Sequence, residues 1–389
     1  MEGWKEMRIG ELFDIKAGGD LQEENYSPCR TDHARWAIYA NSLENKGLYG
    51  YTSQPRFRGN AVTITGRGEV GHAEFRDEDF DAIVRLLVLL PKVDVDCRYI
   101  TYYINSLVHF PKESTGVPQL TAPKVKRIKI NLPQLKAEQT AIANILSKVD
   151  EAITSVQNSI AAAERLKKGL MQNLLTGKMK PDGTFRTPDE FYIDEKFGKV
   201  PVGWHWGRLS EIADIIAGQS PQGEYYNVNG MGKPMLNGPT EFTDKYPVPV
   251  QWTTKITKLC KKGDILFTVR GSSTGRMNLA DQEYCIGRGL AAIRPKSNNN
   301  ISFIYYTLLK ISELILAEAK GAGTTFPNVS RGELMKKVIL IPDTHQNEII
   351  APIEQLASFS NSKQRSIDKL EILKKSLMQN LLTGRIKIL

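Results

Sequence analysis

The sequence predicts an α+β protein. Two mixed α/β globular parts are separated by two long antiparallel helices forming a coiled coil, and the whole is a pseudo-twofold internal repeat. Three observations predict this. Residues 166–177 read LKKGLMQNLLTG and residues 373–384 read LKKSLMQNLLTG, alike at eleven of twelve positions. A weaker match runs through the rest of both halves. Two long stretches also carry apolar residues at alternating spacings of four and three, the seam of a helix that packs on another helix.

Taken in order, the halves open on GWKEMRIGELFDIKAG (3–18) and GWHWGRLSEIADIIAG (203–218). Asn60 to Thr65 and Asp264 to Val269 are apolar runs entering glycine turns, which reads as two matched strands. Ile83 to Leu90 and Ala291 to Arg294 form a second strand pair. Tyr99 to Val108 and Phe303 to Ala319 read as helices. Lys126 to Leu132 and Lys336 to Ile341 read as short final strands ahead of Pro133 and Pro342. The offset between copies drifts from 200 to 209, as loop insertions would produce.

The long helices come next. Residues 138–175 hold no proline and one glycine, Gly169. Ile142, Leu146, Val149, Ile153, Val156, Ile160, Ala163, Leu170 and Leu174 form its seam, interrupted by Lys167. Such a helix spans roughly 57 Å at about 1.5 Å per residue. A globular part of about 135 residues is only roughly 35 Å across, so the simplest partner for each stripe is the other copy. The second seam runs through Ile349, Ile353, Leu356, Ile367, Leu370, Leu377 and Leu381, interrupted by Ser360 and Lys363. Pro352 falls in its first turns, and Asp343 or Thr344 is the expected N-cap. The boundaries follow: globular parts at 1–133 and 201–342, helical regions at 134–180 and 343–389, and a linker at 181–200.

Composition limits the function. The 389 residues are 41% hydrophobic and 24% charged, which excludes a mostly disordered chain. No apolar run approaches the 18 or so residues of a membrane span, and the first ten residues lack a secretory core, so a cytoplasmic protein without membrane contact is expected. Cys29, Cys97, Cys260 and Cys285 lie far apart and the histidines are isolated, which argues against a structural zinc or a disulfide framework. Gly66-Arg67-Gly68-Glu69-Val70-Gly71 matches G-x-G-x-x-G, but residues 72–82 after it, HAEFRDEDFDA, are acidic and broken rather than an amphipathic helix. No phosphate-binding G-x4-G-K-[ST] loop and no N-P-P-[YF] motif occurs. No repeated nucleophile or acid/base set is visible, so the chain reads as no enzyme.

What does repeat is a basic, glycine-flexed turn after a strand. Arg67-Gly68 matches Arg270-Gly271, and arginine in such a turn suits bidentate contact with guanine or phosphate. A second loop repeats too, Val117-Pro118-Gln119-Leu120-Thr121 against Phe326-Pro327-Asn328-Val329-Ser330, with small polar residues around it. The net charge of +9 favours an acidic partner. It is uneven. Residues 1–200 hold 28 basic against 27 acidic side chains, and residues 201–389 hold 24 against 16. The first half therefore relies on local patches such as 112–136, with six basic residues and one acidic. The candidate DNA-contacting residues of the first half are Lys16, Arg67, His72, Thr115, Gln119 and Lys124. Those of the second are Gln219, Ser220, Arg270, Ser272, Ser273, Thr274, Arg276, Thr324, Thr325 and Asn328. Leu170, Leu174, Leu175, Leu377, Leu381 and Leu382 are candidates either for docking a partner or for closing the two helices on each other.

LMQNLLTG near the end of each of two long helices, with the matched G-W openings, resembles the DNA-specificity subunit of type I restriction–modification systems over nearly the full length. Pro133 through Gly177 resembles the family's central conserved region, with Glu138-Gln139 near the helix start. Pro342 through Gly384 resembles the distal one, where that pair reads Asn347-Glu348. The resemblance implies a non-catalytic subunit whose two target recognition domains each read one half of a bipartite site in double-stranded DNA, with the helix pair as spacer. It implies two methyltransferase subunits as partners, a restriction and translocase subunit beside them, and no cofactor in this chain, S-adenosylmethionine being bound by the methyltransferase. The alternative is a standalone two-headed DNA-binding or architectural protein, which would not co-purify with a methyltransferase.

Overall fold

The computed structural model describes residues 3–110, 119–296, 298–321 and 327–388. They divide into two compact units, Met1–Asn158 with Lys363–Leu389, and Ser159–Ser362. The division cuts across the repeat, because each long helix contributes to both units.

In the first unit an antiparallel sheet is ordered Phe13–Ala17, Leu87–Pro91, Ala61–Ile64, Ala73–Arg76. Its inner strand Ala61–Ile64 is buried throughout, which explains its unbroken run of β-branched and small residues. A second sheet is ordered Tyr26–Ser27, Leu48–Thr52, Trp36–Tyr39, Phe80–Ala82, and its last pair is parallel. Trp4–Arg8 pairs with Lys129–Pro133, so the two ends of the globular part close on each other. The helix Cys97–Leu107 packs on the first sheet. Its N-cap Asp96 accepts from the Arg98 and Tyr99 amides at 2.9 and 3.2 Å. Burial pushes the Asp96 carboxyl up, but the bonds from Arg98, Tyr99 and Thr140 outweigh it and hold it below its ordinary value.

The second unit repeats this strand for strand. Its sheets are ordered Ala213–Ala217, Leu290–Pro295, Ile265–Thr268, Met277–Leu279 and Tyr226–Asn227, Gln251–Thr253, Lys233–Leu236, Cys285–Ile286, again with one parallel pair at the end. Trp204–Arg208 pairs with Val338–Pro342. The helix Ile301–Gly321 is longer than its counterpart, at 21 residues against 11.

The first long helix is Lys136–Leu174 and the second Gln346–Leu381. Each begins on its own globular part. Gln139 accepts the Asp96 amide (3.0 Å) and donates to the Pro133 carbonyl (2.8 Å). Gln346 accepts the Asn300 amide (2.7 Å) and donates to Asn299 Oδ1 (3.0 Å). Gln139 thus corresponds to Gln346 and not to Glu348, and the Asn347-Glu348 departure read from the sequence disappears. The corrected offset is 207, the same as that of LMQNLLTG. Replacing Gln139 by Ala leaves two backbone groups beneath a side chain only 3% exposed without their partner. The expected cost is about 1–3 kcal/mol for each group, seen as earlier urea unfolding of the first unit with the second unchanged. A wild-type profile would remove Gln139 from this role.

Each long helix ends in the unit of the other repeat. Leu174 and Leu175, at 1% and 3% exposure, belong to the core that holds Val200, Trp204, Ile349 and Ile353. Leu381 and Leu382, at 3% and 1%, belong to the core that holds Trp4, Ile100, Ile142 and Leu146. The shared N-L-L-T-G ending is a helix stop. Asn173 Nδ2 and Thr176 Oγ1 donate to the Gly169 and Gln172 carbonyls, and Asn380 and Thr383 do the same at Ser376 and Gln379. Gly177 and Gly384 come next with φ of 62° and 70°, where a side chain would be strained. A Cβ on Gly177 would also lie 2.5 Å from the Pro201 ring.

Two polar breaks in the seams, Ser360 and Lys167, meet on Glu164. In the second unit Ser360 Oγ donates to Glu164 Oε1 (2.8 Å), and Lys167 pairs with Glu164 Oε2 (2.5 Å). In the first unit Lys374 pairs with Asp150 Oδ1 (2.6 Å), while Tyr102 donates to Asp150 Oδ2 (2.7 Å).

Four local expectations change. The 181–200 linker carries a hairpin, Phe191–Asp194 against Gly198–Pro201, whose Phe197 ring lies 4.9 Å from that of Trp206. Lys124 and Lys126 stand on a short helix, Ala122–Lys126, and the strand begins only at Lys129. The Ile83 to Leu90 run is a turn up to Leu86, because Val84 and Arg85 take positive φ. The second long helix starts at Gln346, after His345 at φ 65°, so neither Asp343 nor Thr344 caps it directly.

Candidate nucleic-acid interface

Each unit gathers the same loops at one edge. In the first, Arg67 and Gln119 form an isolated bridge and the Leu120 amide donates to the Gly66 carbonyl (2.8 Å). In the second, Arg270 bridges Asn328, and the Gly271 and Val329 amides donate to the Pro327 and Val269 carbonyls, both at 2.9 Å. The two loops matched by sequence are therefore joined in space, twice. Thr115, Thr324 and Thr325 lie outside the described residues.

The arginine turn is a hairpin tip and not a strand-to-helix loop, which sets aside the dinucleotide motif. Thr65 Oγ1 and Thr268 Oγ1 tie the tips by donating to the Glu69 and Ser273 carbonyls. Gly68 and Gly271 have φ of 76° and 82°, with no atom within 4 Å of where a Cβ would stand. Their backbone conformation requires glycine, and the open space beside them leaves the turn accessible.

A third turn joins the edge, one not anticipated from the sequence. The Val84 and Arg85 amides donate to the Gly19 and Gly18 carbonyls (3.0 and 3.2 Å). Asn41 accepts the Gly66 amide (2.7 Å) and donates to the Val84 carbonyl, locking two turns together. In the second unit the Val269 amide donates to the Gly289 carbonyl (2.9 Å), and Ser220 Oγ accepts the Arg288 amide (3.1 Å). Arg85 and Arg288 are thus matched exposed arginines on matched turns. The signal was present: they share the offset of 203 with Arg67 and Arg270. Among the described residues no protein acceptor is bonded to the guanidinium of Arg67, Arg85, Arg270 or Arg288. By contrast Arg56 and Arg294 are ion-paired to the buried Asp81 and Asp264, and buried Arg76 stacks on Tyr39 at 3.5 Å.

The other candidates sort by what they touch. Gln119, Asn328 and Ser272 are exposed at the edge. Gln219 is exposed with its amide fixed to the Ile286 carbonyl (2.8 Å). Ser220 positions Arg288, and Ser273 holds the hairpin tip through its carbonyl. Thr274 is 4% exposed and its hydroxyl is donated to the Gly271 carbonyl (2.8 Å), so it shapes the turn and faces no ligand. Arg276 is exposed, with one donor on the Phe242 carbonyl (3.2 Å). His72 closes the base of the Arg67 tip, its amide donating to Thr65 Oγ1 (3.0 Å), while its half-buried ring is bonded to Glu74 (3.0 Å). Lys16 faces outward two residues before Gly18, and Lys124 is exposed on its short helix. Among the leucines, Leu174, Leu175, Leu381 and Leu382 are buried in the chain's own cores, and Leu170 and Leu377 pack against them. Of the two roles expected of these leucines, docking a partner or closing the two helices on each other, the four buried ones have no surface left for the first, while Leu170 and Leu377 stay half-buried.

Two copies of one small α/β domain, each with a basic three-turn edge, define a two-headed binding protein. The family described as "Type I restriction modification DNA specificity domain" matches residues 1–165 and 201–371, one match for each copy. The chain is 31% identical over 332 residues to a putative type I restriction enzyme MjaX specificity subunit of Methanocaldococcus jannaschii, covering 82% of this chain and 76% of that one. It is 26% identical over 327 residues to the MjaVIII specificity subunit of the same organism, covering 76% and 71%. Among solved structures, its fold resembles that of a type I restriction–modification S subunit from M. genitalium, with a TM-score of 0.66 at 18% identity over 97% and 96% of the two chains. The chain belongs to the type I restriction–modification DNA-specificity family.

Proposed function

We propose that the chain gives a type I restriction–modification complex its DNA sequence specificity, each unit reading one half of a bipartite site in double-stranded DNA. The observation that carries this is the twofold recurrence, on two of three joined turns, of arginines that have no acceptor among the described residues. The alternative of a standalone architectural protein has no such family behind it. The two long helices pair antiparallel as a coiled coil and set the spacing of the half-sites. The contacts within each unit support one register, since from Asp150 to Glu164 the first helix advances fourteen residues and from Lys374 to Ser360 the second retreats fourteen. Polar groups at such positions fix register at some cost in stability.

Two methyltransferase subunits dock on the outward faces of the helices, not on their buried leucines, and bring S-adenosylmethionine. A restriction and translocase subunit completes the complex. The methyltransferase swings its target base out of the duplex. This chain holds no cofactor and works in the cytosol; among its described residues no helix is long and apolar enough to cross a membrane.

Arg67→Ala with Arg85→Ala should weaken binding of the reconstituted complex to its site by about 1–3 kcal/mol for each hydrogen-bonded base no longer read. Where the arginine instead meets a phosphate, the salt dependence should flatten. Gel shifts at several salt concentrations, with Arg270→Ala and Arg288→Ala as the matched pair, read this out. Unchanged affinity in both pairs would refute the assignment.

A further inference from the structure

The repeat supplies its own comparison for a cavity in the second copy. In the first unit the helix residue Tyr103 reaches the closing ribbon, where the Asn131 amide donates to its hydroxyl oxygen (3.0 Å), and Glu6 and Lys129 pair beside it (2.8 Å). In the second unit the matched helix position is Thr307 and the matched ribbon position is Trp206, opposite Leu340. The smaller threonine leaves a cavity of about 520 Å³ between helix, ribbon, the end of the first long helix and the hairpin that begins at Phe191. That volume lies in the range of small-molecule sites.

Trp206 and Thr307 contribute to its wall with their apolar atoms, while the Trp206 Nε1 and the Thr307 hydroxyl are turned into the protein and have no partner among the described residues. Lys178, Arg186, Lys199 and Lys310 also line the cavity, and no carboxylate does. Among the described residues the three lysines have no ion-pair partner, whereas the nearby Lys180 is neutralised by Glu190 (2.7 Å). Burial and the charge of Lys178 push Lys310 below the ordinary lysine range, as expected of a cation waiting for an anion. The rest of the wall is apolar, with Phe191, Ile311 and Leu340 beside the indole.

We propose that this cavity binds a small amphipathic carboxylate, its apolar body against Trp206 and Thr307 and its carboxylate facing the Lys178–Lys310 pair. At the matched place in the first unit stands the larger Tyr103, bonded to the Asn131 amide, so the second unit is the expected binder.

Calorimetric titration of the full chain with 2-naphthoate and with the neutral 2-naphthalenemethanol tests this. The carboxylate should bind once per chain and the alcohol about tenfold more weakly, as the absence of a charge-assisted hydrogen bond implies. Thr307→Tyr should abolish binding with little change in unfolding, since tyrosine already stands at the matched place in the first unit. Lys310→Gln should weaken the carboxylate about tenfold and leave the alcohol unchanged. No carboxylate binding at millimolar concentration, equal binding of acid and alcohol, or full binding by Thr307→Tyr would each overturn the proposal. If Thr307→Tyr does not fold, the Lys310→Gln result decides alone.

Discussion

Leu381→Asp should unfold the first unit and leave the second intact, although residue 381 lies at the far end of the chain from most of what it destabilises. Its side chain is 3% exposed in a core with Trp4, Ile100 and Leu146. An unpaired carboxylate there must either be desolvated or take up a proton, and exceptional losses of about 4–5 kcal/mol are typical of such buried charges. A domain with roughly 5–15 kcal/mol of total stability does not absorb that easily. Leu174→Asp is the mirror experiment and should unfold the second unit, where Leu174 packs on Trp204 and Ile353. Amide exchange separates the outcomes. Leu381→Asp should strip protection from Ala61–Ile64 and spare Ile265–Thr268, and Leu174→Asp should do the reverse. Loss confined to the unit that precedes each leucine in its own repeat would contradict the exchange of helix ends between units.

Four residues inserted in both long helices, after Asn158 and after the matched Arg365, should widen the gap between half-sites by one or two base pairs. The insertions add roughly 6 Å at about 1.5 Å per residue, against ~3.4 Å per base pair along the duplex. Four residues is also an insertion that paired helices accommodate by unwinding locally. Placed at matched points, it leaves the Asp150–Lys374 and Glu164–Ser360 contacts on either side intact. The same insertion in one helix alone should instead put the seams out of step and lower both stability and methylation. An unchanged gap after the double insertion would show that the helices do not set the spacing.

Much of the fold was readable from the chain because the repeat compares the sequence with itself. Helices with a long period and no proline, such as 138–175, announce themselves, and so do strands that run into glycine turns. The pairing of Arg67 with Gln119 and of Arg270 with Asn328 was foreshadowed by their matched positions. The features that stayed hidden depend on contacts distant in sequence. Nothing local says that Leu381 belongs with Trp4, and an apolar seam reads the same whether it meets a partner or its own chain. Arg85 was hidden for a different reason: Ile83 to Leu90 looks like one apolar strand. Only the positive φ of Val84 and Arg85 breaks it into a turn and a strand. The Gln139 and Gln346 match was missed because the connection from Pro133 to Gln139 is two residues longer than that from Pro342 to Gln346.

Two units reading two half-sites is the central claim, and long-read sequencing for N6-methyladenine in cells carrying the complex tests it most directly. The wild type should modify a motif of two specified parts around an unspecified gap, and Arg67→Ala with Arg85→Ala should relax one part while leaving the other sharp. A continuous motif, or one in which both parts relax together, would contradict it.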